Sequence, residues 1–234
     1  MAKTGLLSVL LAHQKDFGPV VTFDPARDKL LLLDLTAANR NISEDILDDI
    51  NTFSTYINDQ LRTNNAGYGI GGYNEHRTVY SRSKVFDGTT EQDEPRRLHL
   101  GIDIWGKPNT PVKAPLDGII HSFAFNNNFG DYGATIILAQ QLDGITFHTL
   151  YGHLSLNSIK NIQEGDRINK GDVFAEFGIP PENGHWPPHL HFQVIDDIGE
   201  WKGDYPGVCK FSEREKWLAN CPDPDIILQL NQYT

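Results

Sequence analysis

With 234 residues, 39% hydrophobic and 22% charged, the chain is long enough for one good-sized domain with an elaborated flank, and it can bury a core without staples. A formal net charge of −11 excludes the basic face that a phosphate backbone requires, so nucleic acid is not an expected partner. No run approaches the ~18 apolar residues of a membrane span, and Cys209 and Cys221 neither frame the chain nor form a CxxC pair, so unpaired buried thiols are expected rather than a disulfide scaffold.

The chain opens with MAKTGLLSVLLAHQKDFGPVV. Lys3 ahead of the apolar run Gly5 to Ala12 has the outline of a short secretory segment, but no small-x-small cleavage site follows. Leu6, Leu7, Leu10 and Leu11 fit one face of a short helix instead. That reading favours a cytoplasmic chain, with export to the periplasm as the alternative. Residues 43–62, SEDILDDINTFSTYINDQLR, read as a helix: Ser43 is the expected N-cap, and Glu44 and Asp45 sit in the first turn, where the dipole favours acids. Ile46, Ile50, Phe53, Ile57 and Leu61 recur at spacings of three and four, as one apolar stripe does. NNAGYGIGG ends the helix. It lacks the Lys-Ser/Thr ending of a phosphate loop and marks the best internal boundary, at about residues 64–72.

From about residue 95 the period changes to two. GIIHSFAF (118–125), GATIILAQQ (133–141), GITFHTLYGHL (144–154) and DVFAEFG (172–178) read as strands separated by Gly, Asn, Asp or Pro. Asp143-Gly144 is a hairpin signal. No long helical pattern interrupts these runs, so a mainly antiparallel sheet is expected. A last helix is expected to open at SEREKWLAN, with Ser212 and Glu215 as a capping box.

On a strand, side chains alternate faces. In PPHLHFQV (187–194), Leu190, Phe192 and Val194 share one face, and His189, His191 and Gln193 share the other. In LHLGIDIWG (98–106), Leu100, Ile102 and Ile104 oppose His99, Gly101 and Asp103; Gly101 leaves His99 and Asp103 free to lean toward one point. TLYGHLS (149–155) places His153 at a strand end, with Tyr151 on its face. A lone strand histidine is more often a hydrogen-bonded structural residue than a ligand, and each short motif alone is weak. Two of these motifs share an apolar back face and aim their polar face the same way. Imidazole and carboxylate are nitrogen and oxygen ligands that zinc accepts, and three protein ligands leave a fourth position for water. No cysteine lies near, which excludes a Cys-rich structural site. Spacing alone does not choose three ligands from His99, Asp103, His153, His189 and His191.

Six segments, HLGIDIWG, VKAPLDGII, YGATIIL, LYGHLS, EGDRINKGDVFAEFG and PHLHFQV, in that order over about residues 95–196, resemble the lysostaphin-type (LytM-domain) zinc metallopeptidases. The resemblance implies a mainly β fold: an antiparallel β-sheet core with a zinc groove, an N-terminal helical segment and a short C-terminal helix. It divides the chain into a helical and extended flank, 1–70, and a LytM-like domain, 71–234, with its core at 95–196 and a C-terminal extension. It implies one Zn2+ per chain held by His99, Asp103 and His191, with His153 and His189 as the catalytic pair. The substrate implied is a peptide or peptidoglycan, cut at cross-links or at glycine- or D-amino-acid-containing bonds. Some relatives have lost ligands and serve as binding or activating modules; this chain keeps all five positions, which implies an active enzyme.

Two features depart from the family pattern. NGHWPPHLHF places His185, Trp186 and a second proline where the family usually has Gly or Thr-Gly, a rim expected to shape substrate choice; His185 and Trp186 either line the groove or pack its rim, and Tyr151, on the face of His153, is a further groove candidate. YNEHRTVYSRSKVF (73–86) and GDYPGVCKFSEREKWLANCPDPDIIL (203–228) are similar to the flanks of a peptidase-like domain found between kinase-like and aminotransferase domains in some large fusion proteins. That version is not obviously a cell-wall enzyme. Two alternatives therefore stand beside the metalloendopeptidase: a zinc-binding module without turnover, and a hydrolase of a small intracellular substrate. YNEHR is a candidate lid or inhibitory segment over the metal. The sequence carries no sign of oligomeric state.

Overall fold

The computed structural model describes residues 5–88, 90 and 92–234; Lys3 lies outside them. Twelve strands are present among the described residues. They are β1 (Leu30–Leu33), β2 (Tyr68–Gly71), β3 (Leu98–His99), β4 (Ile102–Trp105), β5 (Pro111–Lys113) and β6 (Gly118–Asn126), followed by β7 (Gly133–Leu142), β8 (Ile145–Leu154), β9 (Arg167–Ile168), β10 (Val173–Glu176), β11 (His189–Ile195) and β12 (Val208–Cys209). Eight form one sheet in the order β1-β2-β4-β11-β8-β7-β6-β9. Every pairing in it is antiparallel except β1 with β2. The β7–β8 hairpin turns on Asp143 (φ 49°) and Gly144 (φ 78°), both left-handed as a two-residue type I′ turn requires.

One face of the sheet carries Ile102, Ile104, Ile136, Leu138, Leu190 and Phe192, all fully buried in the largest core cluster. Each such side chain contributes about 1.5–3 kcal/mol relative to exposure. The opposite face has two coverings. Tyr205, Cys209 and Cys221 of the C-terminal extension pack over Ile137, Leu150 and Ile195. Phe53, Ile57 and Leu61 pack with Trp105 and Trp186. Both cysteines are buried and unpaired.

The helices differ from the sequence pattern in three places. Helix α1 (Leu6–Ala12) buries Leu6, Val9 and Leu10, while Leu7 and Leu11 stand 51% and 52% exposed, so the four leucines do not share a face. The 43–62 segment is two helices, α2 (Glu44–Asp48) and α3 (Ile50–Thr63). Asp49 breaks it: extended backbone there lets the carboxylate accept from the Thr52 N–H at 2.7 Å, the geometry of an N-cap. The capping box at Ser212 and Glu215 does not form. Ser212 lies in a 3-10 turn, its N–H donates to Glu94 Oε1 at 3.1 Å, and α4 (Arg214–Asn220) starts after Glu213 with no side-chain cap. A short α5 (Asp225–Leu228) closes against α1.

Candidate metal centre

β11 lies between β4 and β8, and its register sets the site. His191 stands opposite Asp103 on one side and Gly152 on the other, and His189 stands opposite Trp105. Directly opposed residues on antiparallel strands share a face, with Cβ atoms ~5 Å apart. His99 comes from β3, where the strand breaks at Leu100–Gly101 before β4 resumes. The break also sends Leu100 to the cluster under the C-terminal extension and away from Ile102 and Ile104. Gly101 is required there: a Cβ would lie 2.5 Å from His191 Cε1 and 2.6 Å from Nε2.

His99 Nε2 is 2.9 Å from His191 Nδ1 and 3.2 Å from Asp103 Oδ1; His191 Nδ1 is 3.1 Å from the same oxygen. The outer ring nitrogens are committed elsewhere. His99 Nδ1 donates to Gly72 O at 2.8 Å, and His191 Nε2 to Gln193 Oε1 at 2.9 Å. A carbonyl oxygen only accepts, so each inner nitrogen presents a lone pair. Two lone pairs and a carboxylate oxygen then converge without a proton donor between them, a donor set that a cation fits. Ligands at ~2.0–2.1 Å around a tetrahedral zinc lie roughly 3.3 Å apart, close to this triangle. His99, Asp103 and His191 are the group of residues positioned to hold a metal ion among those described.

Asp103 has a second partner outside the sequence motifs. Arg77, fully buried, donates from one terminal nitrogen to Asp103 Oδ2 at 2.5 Å, from Nε to Glu75 at 2.6 Å, and to Gly72 O at 3.2 Å. Burial pushes the Asp103 carboxyl up, but His99 and Arg77 outweigh it and hold the acid well below the usual carboxylate range. Burial, followed by the Arg77 charge, lowers His99 to about 4. Arg77 ends the YNEHR segment, the candidate lid over the metal, but no spacing rule ties it to position 103.

His153 and His189 lie beside the triangle with ring centroids 4.1 Å apart. Each Nδ1 donates to a backbone carbonyl at 2.8 Å, Asn183 O and Pro187 O respectively. Each Nε2 is therefore left as the accepting nitrogen. Trp105 stacks on His189 at 3.9 Å and 14°, which fixes that ring. Burial lowers His189 to about 4 and His153 well below its ordinary range, the latter with added repulsion from His189 and His191.

Tyr151 is not with them. It stands opposite Phe192 in β8, packs on Phe174 and Phe192, and belongs to the core face. Simple alternation fails because the β7–β8 register shifts between Ala134 and Ile136, and His153 adopts φ 62°, which re-aims it to the site face. Trp186 is buried and lines the cavity; His185 is half-buried outside it, beside Phe129, and offers its carbonyl to Arg82 at 3.0 Å. His148 pairs with His121, away from the site, at 4.9 Å between centroids.

Asp103, His153, His189 and His191 face a cavity of about 130 Å3, walled by Tyr80, Phe86, Trp105, Tyr132, Trp186 and Val208, and His99 lies behind them. All five are buried: His99 0%, Asp103 2%, His153 6%, His189 2% and His191 3% exposed. Two 3-10 turns, Thr78–Arg82 and Lys84–Phe86, form a strap across this side. Val79, Tyr80 and Phe86 of the strap join the Phe53–Trp105–Trp186 cluster, each contributing about 1.5–3 kcal/mol.

Residues 97–202 match the model of peptidase family M23. The matched segment, a little under half of the chain, is similar to an M23 domain. The match is in keeping with the resemblance read from the six segments. The L-Ala–D-Glu endopeptidase of Bacillus subtilis is 29% identical over 139 residues, 56% of this chain and 38% of that protein. The DD-carboxypeptidase/endopeptidase Mpg of Neisseria meningitidis serogroup B is 32% identical over 126 residues, 53% of this chain and 26% of that protein. The alignments thus span well under half the length of these relatives. Among solved structures, the lysostaphin catalytic domain from Staphylococcus simulans is 29% identical, covering 57% of this chain and 80% of that one, with a TM-score of 0.39. Both curated relatives are named for peptide-bond hydrolysis, and the matched segment contains every candidate site residue from His99 to His191. Gly72 and Arg77 lie outside it. No helix among the described residues is long and apolar enough to cross a membrane.

Proposed function

We propose that the M23-like domain is a zinc-dependent peptidase that hydrolyses an amide bond with a metal-activated water. The observation carrying this reading is the convergence of His99 Nε2, His191 Nδ1 and Asp103 Oδ1 within 2.9–3.2 Å, each imidazole oriented by a carbonyl on its far side. His99, Asp103 and His191 would hold the ion. Zinc bound there would supply Lewis acidity and bring the pKa of a coordinated water to ~7.

The remaining work belongs to His153 and His189. Both are neutral at pH 7, with Nδ1 pinned and Nε2 free to accept. One takes a proton from the attacking water as general base and delivers it to the departing amine. The other, with its Nε2 likewise free, accepts a hydrogen bond from the second hydrogen of the attacking water and holds that water in line, while the ion would supply the positive charge for the developing oxyanion. Trp105 keeps the His189 ring from rotating away.

The bonds for which the relatives are named, L-Ala–D-Glu and those cut by a DD-carboxypeptidase/endopeptidase, are the first substrates to try. The test incubates the zinc-loaded chain with purified cross-linked peptidoglycan and with soluble peptides containing L-Ala–D-Glu, D-Ala–D-Ala and glycyl bonds. Mass spectrometry then reads new peptide ends, with His153→Ala as control. New ends from the wild type alone support a peptidase. No new ends from any substrate, at one zinc per chain, overturn it in favour of a binding module.

A further inference from the structure

We propose that this M23-like domain acts on short, soluble peptides that enter end-on, and not on cross-links inside an intact wall polymer. The inference rests on the peptidase reading above and adds the size class of its substrate.

The strap runs from its base, where Arg77 is bound to Asp103, to two touching loops beside the catalytic pair, and it is fastened at both ends. Arg82 donates to His185 O at 3.0 Å, beside the loop that carries Asn183 and Trp186. Ser83 Oγ donates to Phe129 O at 2.5 Å, on the loop that leads to Tyr132. The fit is close: a Cβ at Gly130 would lie 2.4 Å from Ser83 Cβ. The other wall is equally tight. A Cβ at Gly207 would lie 1.8 Å from the Tyr132 hydroxyl, and Val208 is paired with His99 in the β12–β3 ladder. An extended chain crossing the histidines would have to pass through the strap. The strap is no free flap, since Val79, Tyr80 and Phe86 are part of a core cluster and Arg77 at its base is bound to Asp103.

The enclosed space sets a size. A cavity of about 130 Å3 compares with the ~150 Å3 apolar cavity that admits one benzene. It holds about one side chain beside the reacting bond. Of the lining residues, Val85, Arg96, Asp131, Trp201, Asp204 and Pro206 reach solvent, and they mark the mouth. That mouth carries both signs of charge, which suits the free ammonium and carboxylate ends of a short peptide. In the reaction, one water is consumed per amide: its oxygen bonds to the carbonyl carbon, the C–N bond breaks, and the proton leaves on the amine.

Hydroxamates ligate zinc through their own oxygens and test the size limit without turnover. Acetohydroxamate and the hydroxamates of Ala, Ala-Ala and Ala-Ala-Ala-Ala are titrated calorimetrically into the full zinc-loaded chain. The expected result is binding of the first two or three and at least a tenfold loss for the tetrapeptide. Phe86→Ala, which widens the cavity, is expected to recover part of that loss; if this variant does not fold, the wild-type series decides alone. Equal or tighter binding of the tetrapeptide probe overturns the inference, as does a zinc-loaded chain that binds no probe. Graded binding with no hydrolysis of any peptide would overturn the peptidase reading and leave the size selection standing.

Discussion

His191 and His153 sit within one ring cluster, 6.3 Å between centroids, yet their loss should have different signatures. His191→Ala removes one corner of the donor triangle, so zinc per chain should fall from one toward zero by elemental analysis. His153→Ala leaves the triangle intact, and zinc should stay at one per chain while turnover falls about 10²–10⁴-fold, the usual contribution of a general base. Two neighbouring histidines, His99 and His189, shape the pH dependence of the metal-free protein. His99 and His189 are held at about 4 by burial, against 6.5 in the unfolded chain. Below pH 6.5 the unfolded state takes up protons that the folded state refuses, so stability, complete above 6.5, drains away as the pH falls toward 4. Each histidine accounts for at most about 3 kcal/mol of that loss. Urea denaturation of the zinc-free chain at pH 7.5 and 4.5 measures it, and a flat profile would contradict the burial of neutral imidazoles. Much at this scale was legible in the sequence. Strict alternation in PHLHFQV separates His189, His191 and Gln193 from Leu190, Phe192 and Val194, and the structure keeps that division. Arg77 was not legible, because a contact across 26 positions leaves no periodic mark.

At the scale of elements, the loop before β7 and the loop before β11 decide where His153 points. Gly184 (φ 81°) and Gly133 (φ 63°) bring the 182–186 loop against residues 130–134. A Cβ at Gly184 would lie 1.8 Å from Asp131 O, and one at Gly133 would lie 2.1 Å from Glu182 O. Asn183 O, the acceptor for His153, lies between these contacts. Gly184→Ala is therefore expected to lower the thermal midpoint, with a cost of about 1–3 kcal/mol for strain at a left-handed site, and to cut turnover more than it cuts zinc binding. Calorimetry and zinc analysis on one preparation separate the two effects. The strap answers differently. Arg77→Met leaves the buried Asp103 and the half-buried Glu75 without their cation, a change expected to cost about 3–5 kcal/mol and to weaken zinc binding, read by denaturation and by competition with a chelator. Tyr151 shows why alternation misleads at this scale. It predicts a groove position, but a register shift and one left-handed residue turn the strand end, and bulges are not written in hydrophobic periodicity.

Across the whole molecule, the sheet is larger than the M23 match. β1 and β2 extend its edge beyond β4, with Leu30–Leu33 lying parallel to Tyr68–Gly71. LLLL has no alternation that marks it as a strand, and a parallel partner almost forty residues away leaves no local turn signal, so this edge was out of reach of sequence patterns. A chain beginning at Arg96 would lose both strands, α3, the strap and the apolar cover of Trp105 and Trp186. We expect it to melt well below the full chain and to bind less than one zinc; a truncated chain that kept full zinc and an unchanged midpoint would refute the structural role of this flank.

The carbonyl of Gly72 has one more implication. It is the acceptor that orients His99, and it is supplied from outside the 97–202 segment that the family model covers. A gene fusion or recombination event that moved only that segment into a new protein would transmit the five candidate site residues, but not the scaffold that aims the first of them. The heritable unit of this site is longer than its recognisable signature, and a host sequence would have to reinvent both the carbonyl and the guanidinium before the transplanted histidines converged again.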